Sequence, residues 1–257
     1  MSFNTLCDFC TKKNHDDFDM RQYQISKVIR THRADLISLQ EIRTGSQVKE
    51  IFSNLSHYTF IYPDSWILSY ADAALAINTK RFEIIESGHL WLGPNNGNFT
   101  FGWKVALPRV MVWSKIKEIK TQKELLFIGS HFDNRVENMI GSAKLVNDFI
   151  KKKNLPVIFA ADTNATTDFE GYKILEGKSF ANSFNLTKRN IASSNSKDLC
   201  YSRKGDHFPT CRVDHILYSK NSIFKPVDWT IDTSRFGKNQ RFPSDHRAVV
   251  ATFTLID

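Results

Sequence analysis

The chain has 257 residues, 41% of them hydrophobic and 24% charged, which is the make-up of a folded globular protein and excludes disordered, collagen-like and coiled-coil classes. Lysine and arginine total 35 against 27 aspartates and glutamates, and a surplus of eight positive charges favours an anionic partner: nucleic acid, phospholipid headgroups or a phosphorylated small molecule. No run approaches the roughly 18 uncharged apolar residues of a membrane span, and the opening MSFNTLCDFCTKKN lacks a basic start and apolar stretch, so no transmembrane segment and a cytoplasmic protein are expected, with secretion of a processed chain as the alternative; a monomer is expected.

The pieces alternate between strand and helix. A strand over Met1–Leu6 precedes a helical pattern from Asp19 to His32, in which Tyr23, Ile25, Val28 and Ile29 are apolar. Asp35–Gln40 reads as a buried strand. Short strands follow over Tyr58–Tyr62 and Ala73–Ile77, then longer ones over Phe82–Leu92, Arg109–Ile119 and Leu125–Phe132. Val136, Ile140, Ala143 and Val146 recur at helical spacing before Lys151–Lys153, where cations suit the negative end of a helix dipole. Pro156–Ala161 is nearly all apolar and so central; strands over Arg212–Tyr218 and His246–Leu255 close the chain. No repeat or linker divides it, so one domain over 1–257 is expected, with two mostly antiparallel sheets face to face and helices outside.

Of the four cysteines, Cys7 and Cys10 form a Cys-x-x-Cys pair far from Cys200 and Cys211. Zinc ribbons carry both halves as tight pairs, so free thiols in a reducing compartment are the expectation.

Five polar clusters stand where an apolar strand stops, where a rigid sheet can hold side chains at one rim. They are Asn4, Gln40-Glu41, Asp162-x-Asn164, Asp214-His215 and Ser244-Asp245-His246. Singly each has an ordinary explanation: a turn amide, a surface ion pair, an Asx turn or a cap. Asp214 is hardest to explain that way, because a carboxylate in so apolar a strand needs a partner to offset its desolvation.

Taken in order, the strings SFN, SLQEIR, SHFDN, ADTN, RVDHI and SDH resemble the endonuclease/exonuclease/phosphatase superfamily, the DNase I-like phosphoesterases. The resemblance runs from Asn4 to His246. It implies an α/β (α+β) fold, a four-layer α/β sandwich, and hydrolysis of phosphate esters with Mg2+ or Mn2+. Ala161 departs from the pattern, which commonly has glycine before the Asp-x-Asn pair; the added methyl removes no catalytic group. The segment Glu86–Leu92, with Arg109 downstream, is similar to a bacterial branch of uncertain substrate.

By that resemblance Glu41 holds the metal, with Asn4 close by and Asp245 or Asp162 reaching it directly or through its water. Mg2+ prefers hard oxygen ligands and keeps several waters, so one or two carboxylates suffice. Asp162 and Asn164 would position water and a phosphoryl oxygen, Asp214 would orient His246, and the base would be either Asp162 or His246. His131 would face the leaving group, oriented by Asp72, and Arg43 and Arg109 would contact substrate phosphates. The alternatives are a rim histidine for His131 and surface charges for the arginines. The leading expectation is a phosphodiesterase or nuclease acting on nucleic acid. The alternatives are a phosphatase or phosphodiesterase of a small-molecule or lipid phosphate, inositol phosphate or sphingomyelinase-like, and an inactive nucleic-acid-binding module. A lipid-directed role would want an exposed apolar segment, for which Phe99–Trp103 is the candidate.

Overall fold

The structure, a computed structural model, describes residues 1–10, 17–63, 72–95, 97–177, 180–186, 189–190, 212–220 and 222–256. Alternating side chains divide its strands between an inner and an outer face. In β2 (Leu36–Gln40) Ile37 and Leu39 face outward, where they pack with Ile25, Val28 and Ile29 of α1 (Phe18–His32) and with Val48 and Ile51 of α2 (Gly45–Ile51). Ser38 and Gln40, the alternate residues, face the opposite way. In β8 (Val157–Asp162) Val157, Phe159 and Ala161 pack outward with α3 (Val136–Lys153) and α4 (Glu170–Glu176), while Ile158 and Ala160 join the core between the sheets.

The result is the expected four-layer sandwich. Among the described residues one sheet has seven strands, in the order Arg189–Asn190 (β10), Phe224–Ile231 (β12), Val249–Leu255 (β13), Ser2–Asn4 (β1), β2, Ala73–Asn78 (β4) and Tyr58–Ile61 (β3). The other has six: Phe82–Trp91 (β5), Val110–Glu118 (β6), Glu124–His131 (β7), β8, Asp214–Ser219 (β11) and Phe180–Asn182 (β9). Among the described residues only β1–β2, β7–β8 and β10–β12 pair in parallel. Gly129 marks a close approach of the two sheets, since a Cβ there would lie 2.3 Å from Ser38 Oγ and 2.6 Å from Leu75 Cδ2.

Several boundaries and elements differ from the sequence expectation. Strand β1 stops at Asn4, because Asn4 Oδ1 accepts the Leu6 N–H at 3.0 Å and Leu6 adopts φ 61°, which turns the chain away from the sheet. The closing strand begins at Val249 rather than His246. Helix α2 is an addition. Thr44 Oγ1 accepts the Gln47 N–H and the Gln47 side chain returns to the Thr44 N–H, a capping box that Thr-x-x-Gln encodes. Also unforeseen were α4, β9, Ser183–Leu186 (α5) and β12. The expectation of free thiols is overturned for Cys7 and Cys10, which form a disulfide; the turn brings their Cα atoms to 5.3 Å, within reach of a bridge. Cys200 and Cys211 lie outside the described residues.

Candidate active site

Register builds the site. Asp162, the last residue of β8, pairs with His131 of β7 on one side and with Asp214 of β11 on the other, so three chemistry-bearing side chains stand in one row. Across the cleft β1 and β2 pair Asn4 with Gln40, which puts Glu41 one residue beyond the end of β2. Asn4 joins the two sheets: its Nδ2 donates to Glu41 Oε1 and to Asp162 Oδ2, each at 2.9 Å. Asp162 Oδ1 accepts the Asn164 N–H at 2.9 Å.

Four non-glycine residues at this rim, Leu6, Glu41, Asp72 and Asn164, have φ between 50° and 62°. Left-handed backbone at such residues persists only where the surroundings hold it. Here Glu41 N–H bonds Asp72 O at 3.0 Å and Asp72 N–H bonds Ile42 O at 3.1 Å, locking the two turns together.

His246 is held by Asp214, whose Oδ2 lies 2.7 Å from Nδ1; Asp162 Oδ2 is 3.8 Å from the same nitrogen. Burial opposes charging this imidazole, but Asp214, Asp162 and Asp245 outweigh it and raise its pKa well above the usual histidine value. Burial, reinforced by Asp162, pushes the Asp214 carboxyl up to about 6 against the pull of His246. Asp162 moves the other way: burial would raise it, yet His131, His246 and the Asn4 and Asn164 hydrogen bonds hold it below the usual aspartate value. These directions together favour an imidazolium between two carboxylates.

His131 has a separate orienter. Its Nδ1 lies 3.0 Å from Asp72 Oδ1, and Arg109 donates to the second oxygen of Asp72 while its Nη1 stands 2.8 Å from the same Nδ1. Its Nε2 meets Asn164 Nδ2 at 3.1 Å and Asp162 Oδ2 at 3.5 Å. Burial and Arg109 lower its affinity for a proton, but Asp72 and Asp162 raise it by more, and the net shift is upward. The SHFDN string also has a structural part: Asp133 Oδ1 accepts from Arg135 N at 2.8 Å and from Asn138 Nδ2 at 3.2 Å at the start of α3.

Of the residues singled out in the sequence, Asn4, Glu41, Asp72, Arg109, His131, Asp162, Asn164, Asp214 and His246 thus meet in one network. Asp245 lies beside it in a loop that Ser244 anchors through Oγ to Asn4 O at 2.7 Å, and its charge acts on His246 and Arg21. Arg43 instead pairs with Asp8 at 2.5 Å. His215 faces the opposite side of β11, where Nε2 bonds Ala165 O at 2.9 Å and burial pulls its pKa to about 4. Ala161 packs its methyl toward the helices, on the face of β8 away from Asp162.

Arg21 was not foreseen. It is fully buried, donating to the carbonyls of Thr5 and Leu6 in the loop after β1 and, at 3.2 Å, to Pro243 O before the Ser-Asp-His turn. Burial draws its pKa down to about 10 against Asp245 and Glu41. The signal was present: Phe18, Arg21, Ile25, Val28 and Ile29 form one buried helical stripe, and an arginine on such a stripe needs partners.

The oxygen donors suit a hard divalent cation. Glu41 is partly open at the mouth, and each of its oxygens accepts one hydrogen bond, from Asn4 Nδ2 and from Cys7 N at 2.7 Å, which leaves lone pairs for a ligand role. Deeper in, Asp162, Asp214 and His246 offer ligand atoms all within 4.8 Å, and Asp214 Oδ1 is buried with no hydrogen-bond partner among the described residues.

Residues 1–246 match the model of the Endonuclease/Exonuclease/phosphatase family. The chain belongs to this family. As a member it is a phosphoesterase, a hydrolase built on the DNase I-like sandwich. Among solved structures it resembles the mannosyl-6-phosphatase Bt3783 of Bacteroides thetaiotaomicron VPI-5482 with a TM-score of 0.85 and 23% identity, over 99% of this chain and 98% of that one. D. rerio TDP2, complexed with single strand DNA product, gives a TM-score of 0.74 at 17% identity over 98% and 97% of the two chains. The human Nocturnin catalytic domain gives 0.71 at 18% over 98% and 91%. At these identities the likeness is one of fold. The sequence matches none of the curated proteins compared with it. No helix among the described residues is long and apolar enough to cross a membrane.

Proposed function

We propose that the protein is a divalent-metal-dependent phosphoesterase acting on a small phosphorylated molecule. The observation that carries the chemistry is the position of Asp162 Oδ2, reached from the seven-stranded sheet by Asn4 and by His246 of the loop before β13, and from its own sheet by His131. A carboxylate there accepts a proton from water and aims the water's lone pair. Because Asp162 is held below the usual aspartate value, it is ionised and orients the water first, taking its proton only as the bond to phosphorus forms. His246, kept protonated by Asp214, donates to a phosphoryl oxygen as charge develops there. The Asn164 amide, bonded at 2.8 Å to Phe132 O, donates beside it. His131 delivers a proton to the departing oxygen. Glu41, with Asn4 and Asp245 near it, would hold Mg2+ or Mn2+, which when bound neutralises the growing negative charge.

The choice of substrate follows from the arginines. Arg43 is paired through Nη2 with Asp8 and Arg109 with Asp72, so the charge of both guanidinium groups is already partly offset before a phosphate backbone reaches them. The loop before Arg109 exposes Phe101, Trp103, Val105 and Leu107, and Lys104 N and O bond Asn138 at 2.8 and 2.9 Å, which ties the loop to the rim. Aromatic and aliphatic surface suits the apolar face of a sugar better than a polyanion. The mannosyl-6-phosphatase that shares the fold acts on such a compound by its name. Nucleic acid is the second reading, favoured by the surplus of eight positive charges. Turnover of sugar phosphates, inositol phosphates, DNA, RNA and sphingomyelin with Mg2+ and with EDTA decides between them. Rapid, EDTA-sensitive release of phosphate from a sugar phosphate is expected. Cleavage of DNA or RNA with a steep dependence on salt, beside idle sugar phosphates, would reverse the assignment.

A further inference from the structure

Cys7 and Cys10 stand directly against Glu41. Cys7 N–H holds Glu41 Oε2 at 2.7 Å, and Cys10 Sγ lies 3.7 Å from the same oxygen. A disulfide sulfur has no proton to donate, so the second contact contributes no hydrogen bond while Cys7 and Cys10 are joined. In the bridged form the two sulfurs and a Glu41 oxygen all lie within 4.8 Å of one another, so opening the bridge would turn this cluster into two thiols beside a carboxylate. Cys7 is buried, Cys10 is exposed and Glu41 is partly exposed, so the cluster has both a fixed wall and an entry.

The geometry points to a second metal site: with the bridge reduced, Cys7, Cys10 and Glu41 bind a soft divalent cation such as Zn2+. Two thiolates from a Cys-x-x-Cys turn and one carboxylate make three of the four tetrahedral positions zinc prefers, and Zn–S bonds of about 2.3 Å place two such sulfurs roughly 3.8 Å apart. Thiolate ligands favour Zn2+ over Mg2+, so the site separates the two ions by softness. A dithiol opens it. The Cys7–Cys10 bond takes two electrons and two protons, and the reductant closes to its own disulfide; zinc then replaces the two thiol protons, which pass to solvent. Since Glu41 belongs to both sites, zinc bound here withdraws the carboxylate that Mg2+ needs. That consequence rests on the role given to Glu41 above, whereas zinc binding itself does not.

The test uses the full chain carrying Cys200→Ser and Cys211→Ser, so that Cys7 and Cys10 are its sole thiols. After reduction with a dithiol and anaerobic desalting, Co2+ is added as a spectroscopic probe and Zn2+ is titrated against a chromophoric chelator. One equivalent of Co2+ with a thiolate-to-cobalt charge-transfer band is expected, absent from the oxidised protein. Cys10→Ser, at an exposed position, should weaken zinc by more than the roughly 100-fold that loss of an outer-shell partner costs. Glu41→Gln should keep the band and weaken zinc. No band in the reduced protein, or an equal one after Cys10→Ser, overturns the site. Zinc should also suppress Mg2+-dependent turnover of the reduced protein alone. If the band forms and turnover survives, the site stands and the metal-holding role of Glu41 falls.

Discussion

Replacing Asn4 with alanine removes one of the side chains that join the two sheets at the site, beside the His131–Asp72 and His246–Asp214 pairs. Asn4 Nδ2 donates at 2.9 Å to Glu41 Oε1 and at 2.9 Å to Asp162 Oδ2, and its Oδ1 accepts the Leu6 N–H at 3.0 Å. Glu41 is partly exposed, so water replaces most of what it loses. Asp162 is 1% exposed and has no such recourse. A hydrogen bond to a charged group contributes about 1.5–3 kcal/mol, and an orphaned buried partner adds its own penalty, so a loss of about 2–4 kcal/mol is expected. For a chain of this size each kcal/mol moves Tm by about 2–4 °C, which predicts a fall of roughly 4–16 °C in thermal unfolding followed by circular dichroism. The pH dependence has a definite sign. Asn4 helps hold the Asp162 pKa below its unfolded value, so that part of the stabilisation is present above the ordinary aspartate range and disappears as pH falls through the lower folded value. The gap between wild type and Asn4→Ala should therefore be full at neutral pH and narrow in acid. Equal Tm values at neutral pH, with unchanged turnover, would refute the idea that this amide joins the sheets.

Glu41→Gln should retain the fold, shown by an unchanged circular dichroism spectrum, and lose turnover in ordinary Mg2+; full activity would remove Glu41 from the metal. Asp214→Asn takes away the carboxylate that raises His246, so the alkaline limb of the pH–rate profile should move to lower pH; an unmoved limb would mean that His246 is not the group titrating. Because the pair acts as a unit, Asp214→Asn/His246→Ala should be little slower than His246→Ala alone, whereas multiplicative losses would argue against coupling. His131→Ala should slow a sugar phosphate by about 100- to 10,000-fold and spare a nitrophenyl ester, whose leaving group needs no proton; equal losses on both would deny it the role of acid.

Periodicity alone placed most strands and both long helices, because apolar residues at spacings of two and 3.6 mark the face each element must bury. Ile37 and Leu39 declare an outer face, and Val157, Phe159 and Ala161 declare another. Short elements left fainter marks. Helix α2 was missed although its Thr44-x-x-Gln47 cap stands in the sequence, and β9 spans only Phe180–Asn182, too little pattern to separate from a loop. The polar residues at strand ends were equally legible one by one, since a carboxylate such as Asp214 in an apolar strand has to be explained.

Which of these residues meet was decided by the tertiary structure. The contact between Asn4 and Asp162 spans 158 positions and exists because two sheets stack face to face at the same rim. Arg43 and Arg109 read identically as free guanidinium groups in the sequence, and only folding gave one to Asp8 and the other to Asp72. The neighbours Asp214 and His215 were separated by the strand's two-residue period, which sends one into the cleft and the other under the helices. Sequence determines which side chains a strand presents and on which face. Partners across the cleft depend on register and on sheet packing, and those are properties of the whole chain.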